Sequence, residues 1–240
     1  MEKFIEKFNI FDIFTMLGPG LIISCLYGVS LSFQYYDIWK NYGNGKYVIF
    51  FVFSYFLGII FQEIGTVLDK KCIWKCLYGG EPRQIFLSEN LSENLSENIF
   101  ANQLECKNAL RVKKYIKEYI DPELYRNASK KERNSIIFSY CLNICELNGL
   151  TFKADKMLVI SEMSRSIFWG CLSTIMINLY LISIGSYGSS FLYYEILLLL
   201  FVAAVFLWRK KRYEQYRIRI LIRVFLIYME QQDSERIEQN

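Results

Sequence analysis

Four apolar runs dominate this chain, at residues 19–36, 47–68, 167–186 and 191–208. Each is close to the roughly 20 residues that a helix needs to cross the hydrocarbon core of a bilayer. A buried helix in a soluble domain can imitate one such run. Four runs with so few charges point instead to an all-α integral membrane protein with four transmembrane helices. Of the 240 residues, 53% are hydrophobic and 17% aromatic, and it is their uneven placement that decides the class.

Loop charge sets the expected orientation. The region between the second and third runs carries Lys70, Lys71, Lys75, Lys113, Lys114, Lys130 and Lys131, and the segment after the fourth run opens Arg209-Lys210-Lys211-Arg212. The short outer loops, residues 41–46 and 185–190, hold one lysine and no charge, respectively. Positively charged loops stay inside, so both termini and the middle region are expected in the cytoplasm, with the chain in the inner membrane. Seven cysteines, none of them in either short outer loop, agree with a reducing compartment. Residues 1–12 mix acids with bases and lead into no small-residue cleavage site, so the first span is expected to be retained.

The N-terminal stretch repeats Phe4, Ile5, Phe8, Phe11, Phe14 and Leu17 at helical spacing, with charges between them. That pattern suits an amphipathic helix lying in the interface over residues 1–18, or one that extends the first span inward. Gly18-Pro19-Gly20 follows, and Pro19 fits the first position of a spanning helix. The expected structure is therefore a corner and hinge at Gly18, Pro19 and Gly20. The remaining divisions are transmembrane helices 1 and 2 over 19–68, a cytoplasmic helical module over 69–165, transmembrane helices 3 and 4 over 166–208, and a cytoplasmic C-terminal helix over 209–240.

Within the module, Leu-Ser-Glu-Asn occurs three times over residues 87–98. Its four-residue period drifts around a helix and leaves no lasting stripe, so a surface loop or solvated helix is expected. Residues 105–119 read as a basic helix. Ser129-Lys-Lys-Glu132 is a capping box that opens another, which Gly149 can close. A further helix begins near Ala154 and runs into the third span. The apolar residues and arginines of 209–232 alternate too densely for a free tail, so one side of that helix is expected to pack on the module or on another subunit.

The chain has no histidine, which removes Ser-His-Asp and Cys-His catalysis and the ordinary histidine base. It also has no phosphate-binding glycine loop and no zinc-protease motif. Cys72 with Cys76, and Cys141 with Cys145, match one helical turn rather than the two-residue gap common in zinc sites. Small buried hydrophobes explain them as well, so no metal, no cofactor and no enzyme activity is expected. Ionisable groups at membrane depth are costly unless they face water or a partner. Glu63, with Gln62 beside it, and Glu195 are therefore candidate ion-pathway residues, with interfacial snorkelling or a local hydrogen bond as the alternative; Asn178, in mid-span, suits a helix–helix hydrogen bond or the same pathway. Gly58 and Gly170 would let helices approach closely. For an anionic ligand the candidates are Lys113, Lys114 and Lys117 with Arg212, Arg217, Arg219 and Arg223, and ion pairs within the module are the alternative.

Phe11-Asp-Ile-Phe-Thr15 ahead of Gly18-Pro19-Gly20, the helix Tyr140-Cys-Leu-Asn143-Ile-Cys-Glu146, and Ser164-Arg165-Ser166 resemble small multi-span bacterial membrane effectors of antiphage defence, the Hailong type among them. The resemblance implies a homo-oligomeric, channel-like effector controlled by a nucleotide or oligonucleotide. A tetramer is one candidate assembly, and no binding of duplex nucleic acid is expected. No functional residue is carried over from it. The expected function is a gated ion channel or pore, and the alternative is a non-conducting scaffold that recruits a cytoplasmic partner to the bilayer.

Overall fold

A computed structural model of the chain describes residues 10–40, 45–73, 87, 103–119, 128–185 and 189–238. Among the described residues the structure is helical and contains no strand. The helices are α1 (Ile10–Lys40), α2 (Gly45–Leu68, followed by a π-helical turn over Asp69–Ile73), α3 (Gln103–Tyr119), α4 (Lys130–Leu147), α5 (Phe152–Ser183) and α6 (Ser189–Glu238). The chain divides into two units, Met1–Asp69 with Leu158–Tyr213, and Lys70–Met157 with Glu214–Asn240.

The first unit is built with its large apolar side chains outward. On α2 the buried stripe is Ser54, Gly58, Phe61 and Gly65, at spacings of four, three and four. Phe51, Val52, Phe56, Ile60, Ile64 and Val67 are exposed. The unit-1 part of α6 repeats the arrangement: Leu192, Glu195, Leu199, Ala203 and Lys210 are buried, while Leu197, Leu198, Leu200, Phe201 and Trp208 are exposed. A soluble domain would bury these large residues and show the polar ones to water. Close helix packing through small residues with apolar groups facing out is the arrangement of helices in lipid. Three helices, Gly45–Ile73, Phe152–Ser183 and Phe191–Arg236, are long and apolar enough to cross a membrane. The 24 residues of α2 alone span about 36 Å, against a hydrocarbon core of about 30 Å. In α1 the described apolar stretch is shorter, Thr15–Leu31.

The corner expected at Gly18-Pro19-Gly20 is absent, because α1 runs unbroken from Ile10 to Lys40 with Pro19 inside it. Residues 10–17 therefore belong to the same helix as the first apolar run, and residues 1–9 lie outside the described residues. An interior proline removes one helix hydrogen bond and costs about 3 kcal/mol in an ordinary helix. Packed apolar helices tolerate it because neighbouring groups satisfy the freed carbonyl. The glycine beside it serves packing: a Cβ on Gly20 would strike the Ser54 carbonyl of α2, and a Cβ on Gly58 would strike the Met16 carbonyl of α1. Gly170 does the same for α5, where a Cβ would meet the Ile23 side chain. The close approach expected at Gly58 and Gly170 is thus found.

The second unit has an ordinary core. Ala109, Val112 and Ile116 from α3, Ile137, Phe138, Cys141 and Cys145 from α4, and Ile218, Leu221, Ile222, Phe225, Leu226 and Met229 from α6 form one buried cluster. Three-and-four spacing on each helix supplies the stripe that makes this packing possible. The partner of the densely apolar tail helix is thereby the middle region. Leu87 is buried in the same cluster, against the expectation of a surface loop at the start of the repeat; residues 88–98 lie outside the described residues. The capping box forms as expected, with Ser129 and Glu132 exchanging backbone and side-chain hydrogen bonds. Hydrogen bonding to its carboxylate, from the Ser129 backbone N–H first and the Ser129 side chain second, holds Glu132 below the usual glutamate range. Gly149, at φ 66°, closes α4.

Candidate functional site

Polar side chains pair at four places in the interior of the first unit, and α1 takes part in all of them except the charged one. Ser24, Tyr27 and Ser30 recur every three residues along α1 and each meets a different helix. Ser54 Oγ on α2 donates to Ser24 Oγ at 2.8 Å, and Tyr27 shares a 2.6 Å hydrogen bond with Ser173 on α5. Ser30 Oγ donates to Glu195 Oε1 on α6 at 2.9 Å. Most other hydroxyls on α5 satisfy themselves within the helix: Ser164, Ser166 and Thr174 each donate to the carbonyl four residues back.

Apart from the ion-paired groups, three polar side chains in this interior carry a buried atom with no hydrogen-bond partner: Asn178, Glu195 and Gln62, through its Oε1. Asn178 is 0% exposed, and neither its Oδ1 nor its Nδ2 has a hydrogen-bond partner. Glu195 is 8% exposed, and its Oε2 is likewise buried and bare. Both lie on the inward stripes of their helices, Asn178 in line with Cys171, Thr174 and Leu181, and Glu195 in line with Leu192 and Leu199. Buried polar atoms are nearly always paired in native structures, so Asn178 and Glu195 stand out in this unit.

The charged place is at the end of α2. The first residue of the π turn, Asp69, is buried, and Lys210 Nζ, with no exposed surface, lies 2.6 Å from its Oδ2 in a side-on ion pair. Trp169 Nε1 donates to Asp69 Oδ1 at 3.3 Å. Arg165 Nε stands 3.9 Å from Asp69 Oδ2, and Arg165 Nη2 stands 3.9 Å from Glu162 Oε1. Gln62 Nε2 donates to the other Glu162 oxygen at 3.5 Å. Two acids and two bases thus form one neutral group drawn from α2, α5 and α6. Gly65 makes room for it, because a Cβ there would come within 2.9 Å of Trp169 and 3.1 Å of Arg165. A buried pair of this kind specifies an arrangement more than it adds stability, since desolvation offsets much of the attraction.

The sequence-predicted residues are distributed as follows. Gln62 joins the charged group, while its neighbour Glu63 is exposed on another face of α2 together with Ile60, Ile64 and Val67. Glu195 pairs with Ser30 inside the unit, and Asn178 is buried on the inward stripe of α5. Arg212 belongs to the first unit, with its guanidinium 5.7 Å from the Trp208 ring, whereas Arg217, Arg219 and Arg223 belong to the second. Arg219 lies 6.0 Å from the Tyr216 ring, Lys114 and Arg223 are exposed, Lys113 is half-buried, and the Lys117 side chain lies outside the described residues. On the same unit, exposed Arg111 meets Glu230 at 2.5 Å, and Tyr115 has its phenol pushed up by burial first and then by a hydrogen bond to Asp233.

Cys141 and Cys145 are core residues. Burial raises both thiols, that of Cys145 to about 11, so neither is a thiolate at neutral pH. Among the described residues no group of three or more His, Cys, Asp or Glu side chains is arranged to hold a metal. Cys76 lies outside the described residues.

Sequence reasoning missed the group around Asp69. The signal was present: Asp69 ends the second apolar run, Arg165 precedes the third and Lys210 follows the fourth, so all three fall at the same end of the spans. Ser30 carried no such signal, because a lone serine in an apolar run is ordinary. No family model, curated protein or solved structure matches the chain.

Proposed function

We propose that the first unit crosses the membrane four times, with both termini and the middle region on the cytoplasmic side, and that copies of it assemble into a gated ion channel. The observation that carries this reading is Glu63. It is exposed on a helix face otherwise formed by Ile60, Ile64 and Val67, where in a single copy an ionised carboxylate would meet lipid at considerable cost. In a ring of copies the same carboxylates line a wet pathway and favour cations. The place of α1 as the remaining span is supported by its hydrogen bonds to α2, α5 and α6 through Ser24, Tyr27 and Ser30.

The second unit, with Lys114 and Arg223 exposed, serves in this reading as the cytoplasmic receiver of a phosphate-bearing signal. The resemblance to Hailong-type effectors supports a nucleotide or oligonucleotide as that signal and antiphage defence as the setting. Purified protein in liposomes tests the reading with a panel of nucleotides and short oligonucleotides. Conduction is expected in at least one ligand state, and Glu63→Gln should lower cation-over-anion preference by about threefold or more. Liposomes that stay ion-tight throughout, with a particle of one chain in detergent, would leave the membrane-anchored scaffold instead.

A further inference from the structure

The four cations that follow the last apolar run, Arg209-Lys210-Lys211-Arg212, do not point one way. Successive helix residues are about 100° apart, so residues two apart project from nearly opposite sides. Lys210 continues the inward stripe of Leu192, Glu195, Leu199 and Ala203 and is buried against Asp69. Arg212 continues the outward stripe of Leu197, Phe201, Val205 and Trp208, at spacings of four, four, three and four, and is exposed. Arg209, next to Trp208, is exposed as well.

We propose that Trp208, Arg209 and Arg212 bind the headgroup of one anionic phospholipid on the cytoplasmic side of the bilayer. This rests on the first unit spanning the membrane and not on conduction. Depth is the first support: Phe191 to Trp208 covers about 26 Å of helix against a hydrocarbon core of about 30 Å, so the next turn reaches the layer of lipid phosphates. Direction is the second, since the stripe that ends in Trp208 and Arg212 is the one that carries exposed apolar side chains, the side that meets lipid. The third is the chemistry of the turn. The Arg212 guanidinium lies 5.7 Å from the centre of the Trp208 ring and that of Arg209 5.5 Å from the Tyr213 ring, each ring four residues away. Such contacts restrain a long side chain, and the planar fork of a guanidinium matches a phosphate. An indole is at home at this depth. Two outward positive charges favour an anionic headgroup over a zwitterionic one, and Lys210 is committed to Asp69.

The test places the full-length protein in phosphatidylcholine vesicles and follows tryptophan fluorescence as brominated phosphatidylglycerol or brominated phosphatidylcholine replaces part of the lipid. Both should quench, and phosphatidylglycerol should bind about fivefold or more tightly than phosphatidylcholine at low salt. Trp208→Phe should remove the difference between the two lipids. Arg209→Gln combined with Arg212→Gln should bring the preference within about twofold of unity. Quenching of that double variant by brominated phosphatidylcholine should persist, which shows that it is still inserted. Lys107→Gln, which removes one exposed charge from the second unit, should leave the preference unchanged. Equal binding of the two lipids by the wild type overturns the proposal and leaves the membrane reading standing. So does a preference that the double arginine variant or Trp208→Phe retains, or one that Lys107→Gln lowers as much. A preference that inorganic phosphate abolishes at constant ionic strength would assign the arginines to a soluble phosphate and also overturn it. Absence of quenching by either lipid would remove the membrane reading itself.

Discussion

Lys210 has no exposed surface and its Nζ lies 2.6 Å from Asp69 Oδ2, so each removes the other's charge from an apolar interior. Asp69→Asn leaves that ammonium without its carboxylate, and breaking a buried pair from one side costs about 3–5 kcal/mol. Lys210→Met should cost less, because Asp69 retains Arg165 at 3.9 Å and the Trp169 N–H. The double variant should return close to the wild type, since a neutral, well-filled pair can replace a buried ion pair without loss. Denaturant unfolding of the detergent-purified variants measures all three. A double variant as unstable as the sum of the singles would show that the two residues act independently.

At the scale of elements, the crossing of α1 and α2 is governed by two glycines. Gly20→Ala and Gly58→Ala each place a methyl on the backbone carbonyl of the opposite helix, and the flexible side chains that usually absorb such a clash are absent there. Each should destabilise the unit by about 1–3 kcal/mol or more. A Cβ at Gly28, on the same helix α1, would have nothing within 4 Å, so Gly28→Ala should be neutral or stabilising by about 0.5–1 kcal/mol. Melting temperatures of the three variants separate packing from helix propensity. Equal effects at Gly20 and Gly28 would remove close approach as the explanation for Gly18-Pro19-Gly20.

For the molecule as a whole, thiol chemistry reports both packing and orientation. Cys72 is exposed, whereas Cys141 and Cys145 are buried in the core of the second unit with raised thiols. In a variant whose other cysteines outside that core are replaced by serine, a membrane-impermeant maleimide should modify Cys72 only after the cells are permeabilised. Cys141 and Cys145 should react only after unfolding. Labelling of Cys72 in intact cells would reverse the proposed orientation, and fast labelling of Cys141 in folded protein would contradict the core packing of α4.

Much of this architecture was legible in the order of residues because it depends on local, periodic signals. Long apolar runs, the Ser129–Glu132 box, Gly149, the helix running through Ser164-Arg165-Ser166 and the helical tail are all settled by neighbours within a few positions. Gly18-Pro19-Gly20 shows the limit: locally it reads as a break, yet the helix continues because α2 packs against it and rewards the absent side chain at Gly20. The inward or outward facing of Glu63, Glu195 and Gln62 was equally undetermined, since an acid in an apolar run carries no mark of which neighbour it meets. Sequence alone determined that this chain forms long helices and that several suit a bilayer, because hydrophobic length is a property of one segment. Only the tertiary structure decided that Asp69, Arg165 and Lys210 neutralise one another while Glu195 and Asn178 remain unsatisfied, because charge compensation is a property of helices brought together.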